Sequence, residues 1–262
     1  MAFYSLITLN SDFLIIGGGV IGLATAFRLA NEGAQVTVIE RNLIGAESSW
    51  AGGGILSPLM PWQYSPAVTN LCDLSVTRYP EWIAAIQATS ELDAEYWPCG
   101  MLVLPPFELE MAQDWCQQHQ WAAELVPARQ IHPDVANTDA LWLPDVAQVR
   151  NSRLVKSLRG ALLAMGVRLL EQTSSSVIIA DKQHIQHVDT TNGKQLAGTY
   201  ITCAGAWSQD VLANYPPAKT IKPMRGQMLL FKTHPGLLQQ VVYQQGIYLI
   251  PRLDGHILVG ST

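Results

Sequence analysis

The segment between residues 13 and 40, FLIIGGGVIGLATAFRLANEGAQVTVIE, constrains the fold more than any other part of the chain. It opens with a continuous apolar run, residues 13–16, which is typical of a strand buried on both faces of a parallel sheet. Apolar residues then recur at helical spacing over residues 20–31. A second strand is expected over residues 35–39, which lead into Glu40. This order predicts a strand, a tight turn, a helix and a second strand that ends in an acid.

The glycines in this segment predict what it binds. Gly17 permits a sharp turn out of the strand, Gly19 lets the backbone approach a pyrophosphate, and Gly22 lets the helix pack closely on the sheet. The helix that starts near Val20 would direct its free N–H groups and its positive dipole end at that anion. Glu40 lies about 20 residues beyond the glycines, where a carboxylate can accept both hydroxyls of a ribose. We therefore predict a site for the ADP half of a dinucleotide rather than a glycine-rich turn without a ligand. The acid disfavours NADP and leaves NAD and FAD open.

Composition narrows the class of partner. Charged residues make up 14% of the 262 residues and apolar ones 48%, whereas about a quarter of a typical domain is charged. The net charge of −5 comes without a basic run, so neither nucleic acid nor an anionic membrane is expected as a partner. The length allows one large domain or two smaller ones. These values predict a folded protein with a large interior and a small-molecule partner.

Targeting signals and metal-binding patterns are not evident. Residues 1–12 contain no Lys or Arg, and no small-residue cleavage site follows the apolar run, so no signal peptide is expected. Residues 13–30 could be read as a membrane span, but the three glycines and Arg28 fit the strand, turn and helix better. We therefore expect a cytoplasmic protein. The four cysteines form no C-x-x-C pair, and His184 and His187 lack further ligands nearby, so no disulfide framework and no metal site is expected.

The stretch after Glu40 contains a second glycine-rich segment. Ser48 and Ser49 could cap a short helix and offer hydroxyls to a phosphate. Residues 52–54 are three glycines, which would let a flat and bulky group approach the backbone. A plain flexible loop is an equally good interpretation of the residues alone. The dipeptide Ala204-Gly205 repeats the arrangement of a strand followed by a glycine turn more loosely.

The remaining pattern predicts further helices and strands. Hairpin turns are expected at Asn192-Gly193 and at Asp254-Gly255. Helices are predicted over residues 65–88, 107–118 and 152–165, and strands over residues 101–104, 167–170, 177–180, 185–190 and 200–202. The segments MRGQMLLF and YLIPRLDGHILVGST alternate as an antiparallel sheet does.

Six segments taken together carry a family resemblance: GGGVIG, VIER, GAESSWAGGGILSP, CAGAWS, MRGQM and YLIPRLDGHILVGST. In this order they resemble the D-amino-acid oxidase family of FAD flavoproteins, and in particular the glycine oxidases of thiamine biosynthesis. The resemblance runs from about residue 12 to the end of the chain. It implies an α/β fold in which a Rossmann-like FAD-binding domain is interleaved with an antiparallel-sheet, α+β substrate domain, incomplete at the C-terminus. The implied FAD-binding parts are residues 1–84 and 148–218, and the implied substrate-domain parts are residues 85–147 and 219–262.

The resemblance implies FAD as the cofactor, not NAD, and assigns its contacts residue by residue. The pyrophosphate would be held by Gly17, Gly19, Val20, Ile21 and Gly22. Glu40 would take the adenosine ribose, Arg41 would lie beside the adenine end, and the backbone of Val177 would meet the adenine. Ser48 and Ser49 match the family positions that bind the phosphates and the ribityl chain. The positions that pass against the flavin ring are matched by Gly53, Gly54 and Ile55, and the small turn packed on the cofactor is matched by Ala204 and Gly205.

The implied substrate site is less complete. Tyr248 matches the family's substrate-side tyrosine, whose hydroxyl would help to hold the carboxylate; a core tyrosine with a satisfied hydroxyl is the alternative. Family members continue for roughly a third of the chain length beyond Thr262, an estimate from the size of two-domain proteins. By the resemblance, that part carries a carboxylate-binding arginine and a glycine-rich segment over the flavin. Neither Arg225 nor Arg252 matches that arginine's motif.

The implied reaction is oxidation of glycine or a similar small amino acid by hydride transfer from the α-carbon to the flavin, with oxygen reduced to hydrogen peroxide. The imine product would supply thiamine thiazole synthesis. No catalytic acid, base or nucleophile is expected, because the cofactor carries the chemistry. One alternative is a truncated, catalytically silent FAD-binding fragment. Another is an NAD-dependent dehydrogenase, which residues 48–55 argue against. A homo-oligomer is possible.

Overall fold

The computed structural model describes residues 11–135, 137–180, 184–212 and 221–260. The α-helices in chain order are α1 Val20–Asn31, α2 Ser48–Ala51, α3 Pro66–Ser90, α4 Leu109–Gln118, α5 Ala128–Ile131, α6 Asn151–Ala164 and α7 Ser208–Val211. The strands are β1 Ser11–Ile16, β2 Val36–Ile39, β3 Trp97–Pro98, β4 Met101–Val103, β5 Glu124–Pro127, β6 Asp139–Leu143, β7 Ala147–Gln148, β8 Arg168–Leu170, β9 Ser175–Ala180, β10 Ile185–Thr190, β11 Gly193–Gln195, β12 Ala197–Thr202, β13 Met228–Lys232, β14 Val241–Gln244, β15 Ile247–Pro251 and β16 His256–Gly260.

The chain divides into two compact units. The first unit comprises Met1–Ala51, Ile86–Leu92 and Leu154–Met224, and the second comprises Gly52–Ala85, Asp93–Arg153 and Arg225–Thr262. The predicted domain limits differ from these units, because they place residues 52–84 and 148–153 in the first domain and residues 86–92 and 221–224 in the second. Residues 54–56 pair with residues 147–149 of the second unit, as in the hydrogen bond of 2.9 Å from the Leu56 N–H to the Ala147 carbonyl.

The first unit is built on a four-stranded sheet in the order β12-β1-β2-β8, in which every neighbouring pair is parallel. Helix α1 buries Leu23, Ala26 and Phe27. A second, antiparallel sheet has the order β11-β10-β9. Because parallel strands end at the same edge, the residues that follow the four strands are brought to one edge of the sheet. These residues are Gly17, Glu40, Glu171 and Cys203.

The second unit is built on a seven-stranded sheet in the order β13-β16-β15-β14-β4-β6-β5. Its neighbouring strands are antiparallel except for β14 and β4. One face packs on a buried cluster that includes Met101, Leu141, Val241 and Ile250. The parallel sheet, the helices and the antiparallel sheets confirm the predicted mixed α/β fold.

The predicted limits of the first helix are confirmed, whereas the predicted position of one hairpin turn is wrong. Helix α1 has the predicted limits, and Gly33 follows its end with φ of +85°. The hairpin turn predicted at Asn192-Gly193 was wrong by one residue, because Thr190 pairs with Gly193 and leaves Thr191 and Asn192 in the turn. Gly193 takes φ of +96° at the start of β11, a conformation that glycine adopts without steric cost. Among the described residues, no helix is both long and apolar enough for a membrane crossing.

Candidate dinucleotide site

A cavity of about 410 Å³ lies within the first unit, at the edge where the parallel strands end. Its volume falls within the range of small-ligand and cofactor sites. The structure brings ten of the predicted residues to its wall: Gly17, Gly19, Val20, Ile21, Glu40, Arg41, Ser48, Ser49, Ala204 and Gly205. Residues of the predicted ADP site are therefore neighbours in space, although they come from four separate parts of the chain.

The glycines are required by close backbone contacts. Gly17 has φ of +116°, and a Cβ there would lie 2.7 Å from the carbonyl carbon of Cys203. Gly22 lies in the first turn of α1, where a Cβ would overlap the carbonyl oxygen of Gly17. A Cβ on Gly19 would lie 3.1 Å from Ser49 Oγ. Gly22 is thus needed to pack α1 against the end of β1, and Gly17 lets the end of β1 approach Cys203, the residue after β12.

Glu40 is buried at the end of β2, with 9% of its surface exposed. Its Oε2 accepts a hydrogen bond of 2.8 Å from the Gly18 N–H, and its Oε1 accepts one of 2.9 Å from the Asn42 N–H. Each carboxylate oxygen can accept more than one hydrogen bond, so both remain able to accept from a ribose. Glu40 therefore ties the glycine turn to the second strand in addition to its predicted role.

Ser49 lies at the amino-terminal end of α1. The Val20 N–H, the first in the helix, donates to Ser49 Oγ over 2.8 Å, while the preceding residue, Gly19, has no side chain to cap the helix. The Ser49 hydroxyl accepts in this contact and keeps its own proton to donate. We expected Ser48 and Ser49 to cap a short helix of their own; α2 begins at Ser48, but the side chain of Ser49 caps α1 instead.

Trp207 is a residue of this cavity that the sequence reasoning missed. The guanidinium carbon of Arg41 lies 3.8 Å from the centroid of the Trp207 ring, and both residues line the cavity. Arg41 also pairs with Glu47 over 3.5 Å. The motif CAGAWS was the available signal, but only its Ala204-Gly205 pair was used. Burial raises the pKa of the neighbouring Cys203 thiol above its ordinary value.

Val177 lies in β9, where its backbone pairs with Asp189. Its side chain falls outside the described residues, and its contact with the adenine stays a prediction. The neighbouring Ser175, Ser176 and Ile178 line the cavity. The start of β9 therefore forms part of the wall.

The residues predicted to contact the flavin ring and the substrate lie in the second unit. A Cβ on Gly53 would lie 2.7 Å from Ile250 Cδ1 and 3.7 Å from Tyr248 Cε2. Gly54 has φ of +80°, and a Cβ there would overlap the Val149 carbonyl oxygen. Ile55 forms an antiparallel bridge with Gln148. The structure thus places this segment beside Tyr248, and the positive φ at residue 54 together with the Val149 carbonyl leaves room there for glycine alone.

Tyr248 and Arg252 come from strand β15 and the turn after it. Tyr248 is half-buried, and its ring fills the space that a Cβ at Gly260 would need. Arg252 is buried with 7% of its surface exposed, and burial lowers its pKa to about 10, so it stays charged at neutral pH. Sequence reasoning considered Arg252 only as a carboxylate-binding residue and found no match. Among the described residues, no cluster of His, Cys, Asp or Glu could hold a metal ion.

Comparison with known proteins gives a consistent result. A family model named DAO and described as FAD dependent oxidoreductase matches residues 12–262. The chain is 40% identical to a glycine oxidase of Pseudomonas putida over 260 residues, which cover 97% of the chain and 71% of that protein. It is 30% identical to the bifunctional protein ThiO/ThiG of Trichormus variabilis, of which it covers 40%.

Solved structures show the same fold. The glycine oxidase of Geobacillus kaustophilus superposes with a TM-score of 0.90 at 25% identity, over 97% of this chain and 71% of that one. The L-proline dehydrogenase of P. horikoshii superposes with a TM-score of 0.80 at 22% identity, over 96% of this chain and 70% of that one. The second likeness concerns the fold alone.

Proposed function

The chain belongs to the DAO family of FAD-dependent oxidoreductases, and on this premise we propose that it is a glycine oxidase. Its similarity to enzymes of this family identifies it as an FAD-dependent amino-acid oxidoreductase. The observation that carries the choice of glycine is the extensive identity to a glycine oxidase over nearly the whole chain. Glycine and sarcosine differ by one methyl group, which is worth only about 1–3 kcal/mol in an apolar pocket.

The residues of the first unit fit the ADP half of FAD. The glycine turn leaves the backbone open to a pyrophosphate, and the start of α1 offers N–H groups and a positive dipole end to it. We propose that Glu40 accepts the ribose hydroxyls, and its buried carboxylate would repel a 2′-phosphate. Arg41 brings a cation to the same wall. We propose that these residues, with Ser48 and Ser49, bind the nucleotide and its phosphates.

The proposed active site uses few protein groups. FAD, when bound, would supply the redox chemistry as acceptor of a hydride from the α-carbon of glycine and as the donor of the two electrons that reduce oxygen to hydrogen peroxide. We assign Gly53, Gly54 and Ile55 to the flavin ring and the Tyr248 hydroxyl to the substrate carboxylate. The protein would orient the substrate and exclude water. The imine would supply the thiazole of thiamine, a role supported by the similarity to ThiO/ThiG proteins.

The experiment is a flavin and peroxide assay on the purified protein. We expect a yellow protein whose flavin is released as FAD, and peroxide formed faster with glycine than with sarcosine or D-alanine. At a hundredfold excess over its Kd, FAD should raise the melting temperature by about 5–10 °C, because it binds the native state, and NAD should not. A colourless protein that takes up no FAD contradicts the proposal. A yellow protein without peroxide formation would keep FAD binding and remove the oxidase assignment.

A further inference from the structure

We propose that Arg252 is a positioning residue for the flavin, because its buried guanidinium fixes the backbone of Gly53 and with it the segment we assign to the flavin ring. The proposal rests on the function proposed above. Arg252 lies in the segment YLIPRLDGHILVGST, but it does not match the motif of the family's carboxylate-binding arginine. Arg252 does not itself touch the flavin or the substrate in this proposal; it acts through the Gly53–Ile55 backbone.

The segment that Arg252 contacts is bonded on one side as an extra strand. Leu56 donates its N–H to the Ala147 carbonyl over 2.9 Å, and Val149 donates its N–H to the Gly54 carbonyl over the same distance. Ile55 and Gln148 form an antiparallel bridge between these two bonds. This ladder reaches Gly54 and goes no further, so the position of the Gly53 carbonyl depends on another donor.

Arg252 is that donor. Its Nη2 donates to the Gly53 carbonyl oxygen over 2.7 Å. Its Nη1 donates to Gln148 Oε1 over 2.6 Å and to the Val149 carbonyl oxygen over 3.2 Å. One guanidinium therefore joins the Gly53 carbonyl to Gln148 of β7 and to Val149, the residue after that strand.

The fork shape of the guanidinium is what this contact requires. Its planar donors can reach several acceptors at fixed angles, whereas the compact ammonium of a lysine is a point charge that reaches fewer of them from one position. The arginine is itself held in place, because its N–H donates to the His256 carbonyl over 2.7 Å and its carbonyl accepts from Gly255 over 3.0 Å. The β15–β16 turn thus holds the arginine rigidly.

A side chain at residue 53 would meet two apolar side chains of the sheet. Ile250 Cδ1 and Met228 Cε would lie 2.7 Å and 3.2 Å from a Cβ at Gly53. Tyr248 Cε2 would lie 3.7 Å from the same Cβ, so the segment also lies close to the proposed substrate tyrosine. A displacement of the Gly53 carbonyl would therefore change the surface offered to the flavin beside the substrate group.

The test compares Arg252→Met and Arg252→Lys with the wild-type protein and with Arg129→Met, an exposed arginine of the same unit. The first measurement is amide hydrogen exchange without FAD, followed at the Leu56 and Val149 N–H groups. The second is FAD titration by flavin fluorescence, with visible circular dichroism of the bound flavin.

We expect the Leu56 and Val149 amides of Arg252→Met to exchange at least about tenfold faster than those of the wild type. We expect this variant to bind FAD about tenfold more weakly, which corresponds to the loss of one charge-assisted hydrogen bond. Arg252→Lys should lie between it and the wild type, with altered flavin dichroism.

Each outcome decides a separate part of the proposal. Wild-type exchange and wild-type flavin signals in both Arg252 variants would overturn it, as would equal changes in Arg129→Met. Faster exchange with unchanged flavin signals would show a structural contact alone and would also overturn it. If Arg252→Met fails to fold, Arg252→Lys, which keeps the charge, gives the decision. Failure of the wild-type protein to take up FAD would refute the function and the flavin role together, and the exchange data would show separately whether Arg252 holds the segment.

Discussion

The Oγ atom of Ser49 accepts a hydrogen bond of 2.8 Å from the backbone N–H of Val20, the first residue of helix α1. The two residues are 29 positions apart in the chain. The contact places a hydroxyl at the end of the helix where an anion is expected, with its proton available for that anion. Ser49 thus stabilises the helix end, and we propose that its hydroxyl donates to a phosphate of FAD.

Replacing Ser49 by alanine should therefore affect both stability and FAD binding. We expect Ser49→Ala to lower the free energy of unfolding by about 1 kcal/mol, as loss of a helix cap does. The Kd for FAD should rise about tenfold because a donor to phosphate is lost. Urea unfolding and fluorescence titration measure the two effects. The control is Ser90→Ala, whose exposed hydroxyl also accepts a backbone N–H, that of Leu92; wild-type FAD binding by Ser49→Ala would refute the prediction.

Glu40→Gln tests the buried carboxylate. An amide can accept at only one of its two ends, so either Gly18 or Asn42 would lose its acceptor and face an NH₂ group. We expect the free energy of unfolding to fall by about 1–3 kcal/mol and the Kd for FAD to rise at least about tenfold. Glu32→Gln is the matched control, because Glu32 forms an exposed ion pair with Arg28 and such pairs contribute about 1 kcal/mol or less. Equal unfolding curves for the two variants would contradict the role given to Glu40.

Gly22→Ala tests the packing of α1 on the end of β1. Alanine has the higher helix propensity, by about 1 kcal/mol, but its Cβ would overlap the carbonyl oxygen of Gly17. We expect a net loss of about 1–3 kcal/mol of stability from overpacking, seen as a lower melting temperature. Gly160→Ala in α6 is the control. A Cβ at Gly160 would lie 3.3 Å from Leu92 Cδ1 and from Ser90 Cβ, and the Leu92 side chain can move. A melting temperature that rises in both variants would show that the backbone at Gly17 yields.

Trp207→Leu removes the ring on which Arg41 rests. A cation over an aromatic ring contributes about 0.5–2 kcal/mol, so the Kd for FAD should rise between about twofold and thirtyfold. Trp207→Phe keeps an aromatic face and should bind FAD more tightly than Trp207→Leu. Fluorescence titration of the apoprotein measures both. Equal affinities for the two variants would show that Trp207 acts only by filling space.

Tyr248→Phe tests the proposed substrate contact. Loss of a hydrogen bond to a carboxylate costs about 1.5–3 kcal/mol, so the KM for glycine should rise at least about tenfold while the Kd for FAD stays unchanged. Steady-state peroxide assays give KM, and flavin titration gives the Kd. The control is Tyr79→Phe in helix α3, whose ring packs against Trp82 and Tyr96. An unchanged KM in Tyr248→Phe would favour the alternative interpretation of Tyr248 as a core tyrosine.

The sequence by itself determined the features that depend on neighbouring residues. Strand β1, the glycine turn, helix α1 and the acid after β2 follow from periodicity and from the backbone freedom of glycine, which act over a few positions. The motif order was sufficient to predict the family and the cofactor. The same local signal was less reliable at Asn192-Gly193, because cross-strand pairing rather than the turn residues sets the register there.

Only the tertiary structure decided which distant side chains meet. Three contacts join residues that lie far apart in the chain. They are the hydrogen bond from the Val20 N–H to Ser49, the stacking of Arg41 over the Trp207 ring and the hydrogen bond from Arg252 to the Gly53 carbonyl. No spacing rule links them, because their positions follow from how strands and helices pack and not from local backbone preference. The same holds for residues 54–56, which belong to the second unit and pair with residues 147–149, although they follow the glycine turn closely in sequence.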